Sequence, residues 1–555
     1  STYANWTPIG YIDGEVVEFT GTLNGLQVVN GDYTLSVITG LRFNEENDNI
    51  SNYKGIFAKI GKGSTIKNIN LTVQDANLTF NANSTDAETY FGALAGTNNG
   101  DIKNVSVTYL HYQSENVTQE ATITQRSYKT YIGGIVGRNE ARGIIENCFV
   151  DGKLSVVVSG RKLDGAFDYI GGVVGYNNGS IDGKGKFVNE KDLATYYNCT
   201  LELSTLTLLS DGTLSNKVEY GVATGGLVGM NASELKNIAF AGNVEGSTNV
   251  GGAVGINTGK IEGVFVTGFV TGYNAVGGLV GKIQDGGAIN FSAVNMYDEN
   301  PISYSGEITP NITANGSVGG LVGVAEYSTL ADKPNVTNSF VKSYFVRNTS
   351  NYIADIFADL YRNTTIYAGG LVGKATNLNI VKCYFNGKIS ANDVSKSGSC
   401  IGGLIGDANN VNISNCYSRG QVVGNFVSAG NTIGILSGNS TLSNSYSTIN
   451  EANSNYLGFV GNENEFKITA TSSYYISGNT SGKHARTAED LKTISNYVGW
   501  DIKDTTSNGA VWSIDGSGRN DGYPALCLDG KALGIEAPKS LEVSAKASAV
   551  ANKQI

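Results

Sequence analysis

The 555-residue chain carries a net charge of −10, with 16% charged and 40% hydrophobic residues, 73 glycines and six prolines. An acidic balance without a run of Lys or Arg excludes partners bound by displacing counterions, namely nucleic acid and anionic membrane surfaces. No stretch of eighteen apolar residues could cross a bilayer as a helix, and six cysteines over this length are too few for a disulfide scaffold.

No charged n-region with an apolar h-region opens the sequence. The expectation is a secreted chain whose signal peptide has been removed, extracellular or at the cell surface, with a lipid anchor upstream of residue 1 as one means of attachment. Residues 1–90 read as an N-terminal cap with the first rungs of a repeat. Trp6 and Phe19 are expected to cover an end that would otherwise pair with other chains. The acidic stretch from Asn44 to Asp48 reads as a solvated loop.

Residues 91–480 form the repeat body. Two glycines, an aliphatic residue, Val or Ile, and a further glycine recur with the first glycine at Gly133, Gly171, Gly225, Gly251, Gly277, Gly319, Gly369 and Gly402. Weaker copies start at Gly92, Gly434 and Gly458, with an echo at Gly55. Gly251 and Gly277 each follow the preceding copy by 26 residues, and constant spacing marks a repeat architecture. Each unit holds two or three short runs rich in Val, Ile, Phe and Thr, bounded by Gly and Asn, which is a strand-and-turn pattern.

A unit this short cannot make a four-stranded propeller blade of roughly 40 residues, and a sandwich has no reason to repeat the same letters. Rungs laid on one another at the roughly 4.8 Å strand spacing do, because identical side chains then stack. The expected fold is all-β, a right-handed parallel β-helix, with the hand set by parallel crossovers. A glycine pair beside a strand marks a corner where a Cβ would strike a neighbouring rung or loop. Alternation leaves apolar groups on both faces there, so either the strand bends or its outside is covered. A phosphate-cradling loop would require a following helix.

Cys148, Cys199 and Cys416 follow Asn, Cys383 follows Lys, and Ser339 and Ser445 occupy the same slot. The slot reads as a small buried position in a stack, with a Cys383–Cys416 pairing as the exception to check. Gaps of 54 residues after Gly171, 42 after Gly277 and 50 after Gly319 exceed the unit. Each is either an extra rung without the motif or a projecting loop, and such insertions tend to form a binding face. Tyr297, Tyr304, Tyr344, Tyr352, Tyr361 and Tyr367 cluster there as candidate ligand contacts, since a phenol joins an apolar ring to a hydroxyl; packing on the outside of the rungs is the alternative.

Residues 481–530 read as a C-terminal cap. Thr487 with Asp490 three residues on resembles a capping box, and a short helix is expected over residues 488–497, with Trp500 and Trp512 packing the last rung. Residues 531–555 lose the repeat and read as a tail or linker.

The glycine strings, together with Trp6-Thr7-Pro8-Ile9-Gly10 and Phe19 to Gly25 at the start and Trp500-Asp501, Val511 to Ile514 and Asn520 to Leu526 at the finish, resemble the GLUG-motif repeat family over about residues 3 to 530. The resemblance implies a β-helix on large exported adhesins, many from Bacteroidetes, with no catalytic residues in the repeat itself.

Only His111 and His484 are present, neither in a zinc-protease pattern nor beside a serine-nucleophile elbow. The stretch from Asp515 to Asp521 lacks the distal Glu of a calcium loop and reads as a tight turn. The expectation is a monomeric, non-enzymatic adhesion or structural module that needs no cofactor and no metal, and that binds a host or matrix glycan or protein. The rival is a polysaccharide lyase or glycoside hydrolase, because stacked rungs can bring two carboxylates together without a local motif.

Overall fold

The computed structural model describes residues 6–532 apart from 13–14, 30–31, 44–51, 76–77, 81–87, 110–111, 115–116, 120, 126–128, 160–166, 184–195, 209–213, 216–220, 297–311, 315, 344–355, 359–364, 392–397, 424–427, 452–457, 463–464, 478–481, 505–509, 515–518 and 529–530. The protein is all-β, and most of its strands lie in three long parallel sheets, an arrangement consistent with a β-helix. The first sheet has eleven strands, from Tyr53–Lys54 to Ser428–Gly430, and all but Tyr53–Lys54 end on the first motif glycine or its counterpart. The second has twelve, from Phe57–Ile60 to Val460–Asn462, and starts after the glycine pair. The remaining strands of each rung join the third sheet.

The eight full glycine motifs form one column. Gly133 pairs with Gly171, and the register continues through Gly225, Gly251, Gly277, Gly319, Gly369 and Gly402 without a skipped strand. The three long gaps therefore contain no extra rung in the first sheet; motifs 54, 42 and 50 residues apart are direct neighbours. One weak copy was read out of register. Gly430, not Gly434, pairs with Gly402, and Gly434 lies against Gly406 at the fifth motif position.

Inside the bend, Ile132, Ile135 and Val136 are all fully buried, as are their counterparts in successive rungs. The strand bends at the glycine pair, which turns both of its apolar faces toward the core. After the bend, Asn98, Asn139, Asn177, Asn231 and Asn257 stack in the interior, each side-chain amide donating to the carboxamide oxygen of the next at 2.8–2.9 Å. Their remaining polar atoms meet backbone groups, such as Gly143 O at 3.1 Å from Asn139 Nδ2. This chain of bonds lets amides sit where an unpaired one would be costly.

The Ser/Cys slot is also a column. The Val264 N–H donates to Ser292 Oγ, Ser292 N–H to Ser339 Oγ, Cys383 N–H to Cys416 Sγ, Cys416 N–H to Ser445 Oγ and Ser445 N–H to Ser473 Oγ. Either atom can serve, which is why the sequence alternates them. Cys383 and Cys416 are both buried free thiols, and burial pushes the Cys416 thiol up to about 12.

Next to that slot an aromatic column runs down the outside of the third sheet: Phe340, Tyr384, Tyr417, Tyr446 and Tyr474, with the first three pairs of rings stacked at 4.6–5.1 Å. The C-terminal segment lies against this column and forms an apolar cluster separate from the interior core. Trp512 is fully buried between Tyr417 and Tyr446, and Trp500 sits beside Tyr446 and Tyr474. The two tryptophans thus cover the flank of several rungs rather than the last one alone.

The helix expected over residues 488–497 is absent; Asp490–Lys492 and Ile494–Asn496 are two single 3-10 turns. The capping box itself forms, since the Asp490 N–H donates to Thr487 Oγ1 at 3.1 Å and the Thr487 N–H donates to the Asp490 carboxylate at 3.1 Å. Side chains then take the carbonyls that a helix would use: Thr493 Oγ1 donates to Glu489 O, Asn496 Nδ2 to Asp490 O and the Tyr497 hydroxyl to Leu491 O. Thr493 is extended and breaks the run. At the other end Phe19 packs on Phe57 at 4.8 Å, while Trp6, 41% exposed, donates its indole N–H to Ile56 O.

Candidate functional site

The bend that fills the core also shapes the outside. A Cβ added to Gly133 would lie 2.1 Å from Val136 O, one on Gly134 2.1 Å from Gly172 O, and one on Gly137 2.7 Å from Tyr131 O. None of these three glycines has a left-handed φ, so the requirement is close backbone approach rather than an unusual turn. The two strands therefore meet closely enough for the side chain two residues before the first glycine to touch the one that follows the last glycine. Repeated along the stack, this lines the outside of the bend with two facing rows of side chains, the walls of a shallow outer groove that the buried rings of Tyr90 and Tyr131 largely fill.

In the rungs from Tyr53 to Tyr176 one wall is aromatic. Tyr53, Tyr90, Tyr131 and Tyr169 stack at 4.7, 4.9 and 5.2 Å, and Phe167 adds a ring 4.6 Å from Tyr169. The opposite wall supplies Lys59, Arg138 and Tyr176. The Lys59 ammonium lies 4.7 Å from the Tyr53 ring. The Arg138 guanidinium lies between Tyr131 at 5.5 Å and Tyr176 at 5.3 Å, an arrangement in which ring faces attract the cation. Glu140 holds the Arg138 Nε at 3.3 Å, and Glu88 accepts hydrogen bonds from the hydroxyls of Tyr90 and Tyr131 while pairing with Lys129 at 3.7 Å. Burial raises the phenols of Tyr90, Tyr131 and Tyr169 above their ordinary range, so they stay neutral donors at physiological pH.

The groove carries a further aromatic–cation pair farther along. Tyr367 stands two residues before Gly369, and the Lys374 ammonium is 5.2 Å from its ring. Asp407 is the strand partner of Lys374, and its carboxyl, raised by burial, accepts from the Ser437 hydroxyl. Of the six tyrosines singled out in the sequence, Tyr367 is thus a half-buried part of the groove wall, whereas Tyr297, Tyr304, Tyr344, Tyr352 and Tyr361 lie outside the described residues. The tyrosines at 53, 90, 131 and 169 were overlooked, although each precedes a motif glycine by two positions.

His111, the stretch from Asn44 to Asp48 and residues 515–518 also lie outside the described residues; His484 packs on Phe459, with Nδ1 2.9 Å from Ser473 O. Among the described residues no group of three or more His, Cys, Asp or Glu side chains could hold a metal ion. No helix among them is long and apolar enough to cross a membrane.

By its architecture the chain is an all-β protein of long parallel sheets. Residues 129–157 match the family model described as the GLUG motif. That match spans one rung, from the strand Lys129–Gly133 through Val136–Asn139 and Ile144–Glu146 into the strand starting at Phe149, and it includes Tyr131, Arg138, Asn139 and Cys148. No curated protein and no solved structure matches the chain.

Proposed function

We propose that the chain is a right-handed parallel β-helix serving as an extracellular structural and adhesion module, with the outer groove binding a host or matrix glycan or protein. The observation that carries this reading is the stacked row of Tyr90, Tyr131 and Tyr169 facing Arg138 and Tyr176 on the opposite wall. Tyr90 and Tyr131 are buried with their hydroxyls on Glu88 and brace the row, while the half-buried Tyr169, Tyr176 and Arg138 present ring edges and a planar donor set suited to hydroxyl or carboxylate groups. Parallel strand crossovers favour the right hand, and the GLUG match, together with a neutral polar surface, favours export to the cell surface. The module is a monomer in this reading and catalyses nothing.

A second reading draws on Tyr367, Lys374 and Asp407. A cation, a phenol and a carboxyl with a raised pKa along one groove are groups that a polysaccharide lyase or hydrolase could use. One experiment separates the two: a glycan and matrix-protein array run beside turnover assays on acidic polysaccharides, with wild type, Tyr131→Ala, Arg138→Ala and Asp407→Asn. The adhesion reading expects binding without turnover, weakened about tenfold or more by either change. Release of unsaturated sugars that depends on Asp407 would replace it with the second reading.

A further inference from the structure

Three positions before the first motif glycine, side chains of the first sheet point inward. Thr89, Thr130 and Asp168 follow one another in this column, and Val222 comes next. Asp168 is 1% exposed, and neither of its carboxyl oxygens has a hydrogen-bond partner. The Thr130 hydroxyl, on one flanking strand, is the polar group that faces the carboxyl and offsets part of the cost of burying it, while Thr224 Oγ1, on the other, is buried without a partner. The other inward residues of the flanking strands are Ile132 and Val222. Those of the strands packed across the bend are Val174, Val228 and Val254. None of these titrates, and they are the inward neighbours of Asp168 among the described residues. The ionisable groups of the same strands, Lys129, Arg138, Tyr131, Tyr169 and Tyr176, belong to the outer groove.

A carboxylate in this position would lose its hydration and, among the described residues, gain no opposite charge, whereas the neutral acid loses far less. We infer that Asp168 is an acid-set latch: its protonated form lets the strand Phe167–Gly171 lie closed in the stack, and rising pH loosens that one rung together with the groove wall built on Phe167 and Tyr169. Burial moves the carboxyl from 3.8 up to about 8. An opened rung returns Asp168 to water and to its ordinary value, so between about pH 4 and 8 opening releases a proton to solvent. Closure is therefore tightest in acid, weakens across that window and levels off above it. The inference concerns the shape of the groove and stands whether or not the groove takes a ligand.

The test is amide hydrogen exchange of residues 167–177 on the intact chain between pH 5 and 9, referenced at each pH to Val254–Asn257 in the same molecule to cancel the intrinsic base catalysis. In wild type the relative protection should fall by as much as tenfold per pH unit up to about 8. In Asp168→Asn, and in Asp168→Thr, which copies Thr130 on the adjoining rung, it should not change with pH. Equal slopes in wild type and both variants, or a flat wild-type profile, would overturn the latch. So would a protection that responds to added Ca2+ or K+ at fixed pH, because the charge would then be held by a metal.

Discussion

At the scale of single residues, two columns explain why the sequence repeats itself. A motif glycine is irreplaceable because backbone occupies the space that a side chain would take. Gly251→Ala would set a methyl 2.0 Å from Val254 O. It should destabilise the protein by about 3 kcal/mol, read as a lower urea midpoint with an unchanged slope. The interior asparagines are held instead by one another. Asn177→Ala would leave Asn139 without its acceptor and Asn231 without its donor, and should cost about 2 kcal/mol, with Asn177→Leu no better. Both columns are legible as letters, since a position that stacks on itself tends to repeat. The strand-and-turn pattern places the asparagine among the residues that bound the strands, although in Val-Gly-Ile-Asn at 254–257 it is the last strand residue and lies inside. The tyrosines of the groove were equally legible. They are spaced by whole rungs, each two positions before a motif glycine, and so do not cluster in the tyrosine-rich gaps.

Among elements, the C-terminal segment is the one the sequence placed least well. Trp500 and Trp512 were read as covering an end, but they lie along a flank, bonded through Trp512 Nε1 to Asn415 Oδ1 and through Arg419 to Asn520 and Asp521. Nothing in a repeat reports where a non-repeating strap will dock, because the contacts join residues about a hundred positions apart. The missing helix has a local cause, the competing side-chain bonds of Thr493, Asn496 and Tyr497. Trp512→Ala should remove about 3–5 kcal/mol from this element. Limited proteolysis should then cut within residues 487–528 while the strands from Tyr90 to Asn257 keep their exchange protection. Simultaneous loss of both would mean that the strap and the stack fold as one unit.

For the whole molecule, the register fixes an economy that spacing alone could not reveal. Twelve strands at the usual separation make the second sheet about 50 Å across, whatever length of chain lies between one bend and the next. The sequence left open whether the 42 residues after Gly277 hide a rung; the pairing of Gly277 with Gly319 answers that. Deleting residues 298–310, with a Gly-Ser linker in their place, should therefore leave the thermal midpoint within about 3 °C of wild type. A fall of ten degrees or more would show that the excised stretch supports its neighbours.

The direct adjacency of motifs separated by unequal lengths of chain also bears on how such a protein can change over time. Height is counted in bends, while girth can grow at any rung without disturbing the next. New sequence can accumulate sideways at one storey, and the storeys above and below keep their footing.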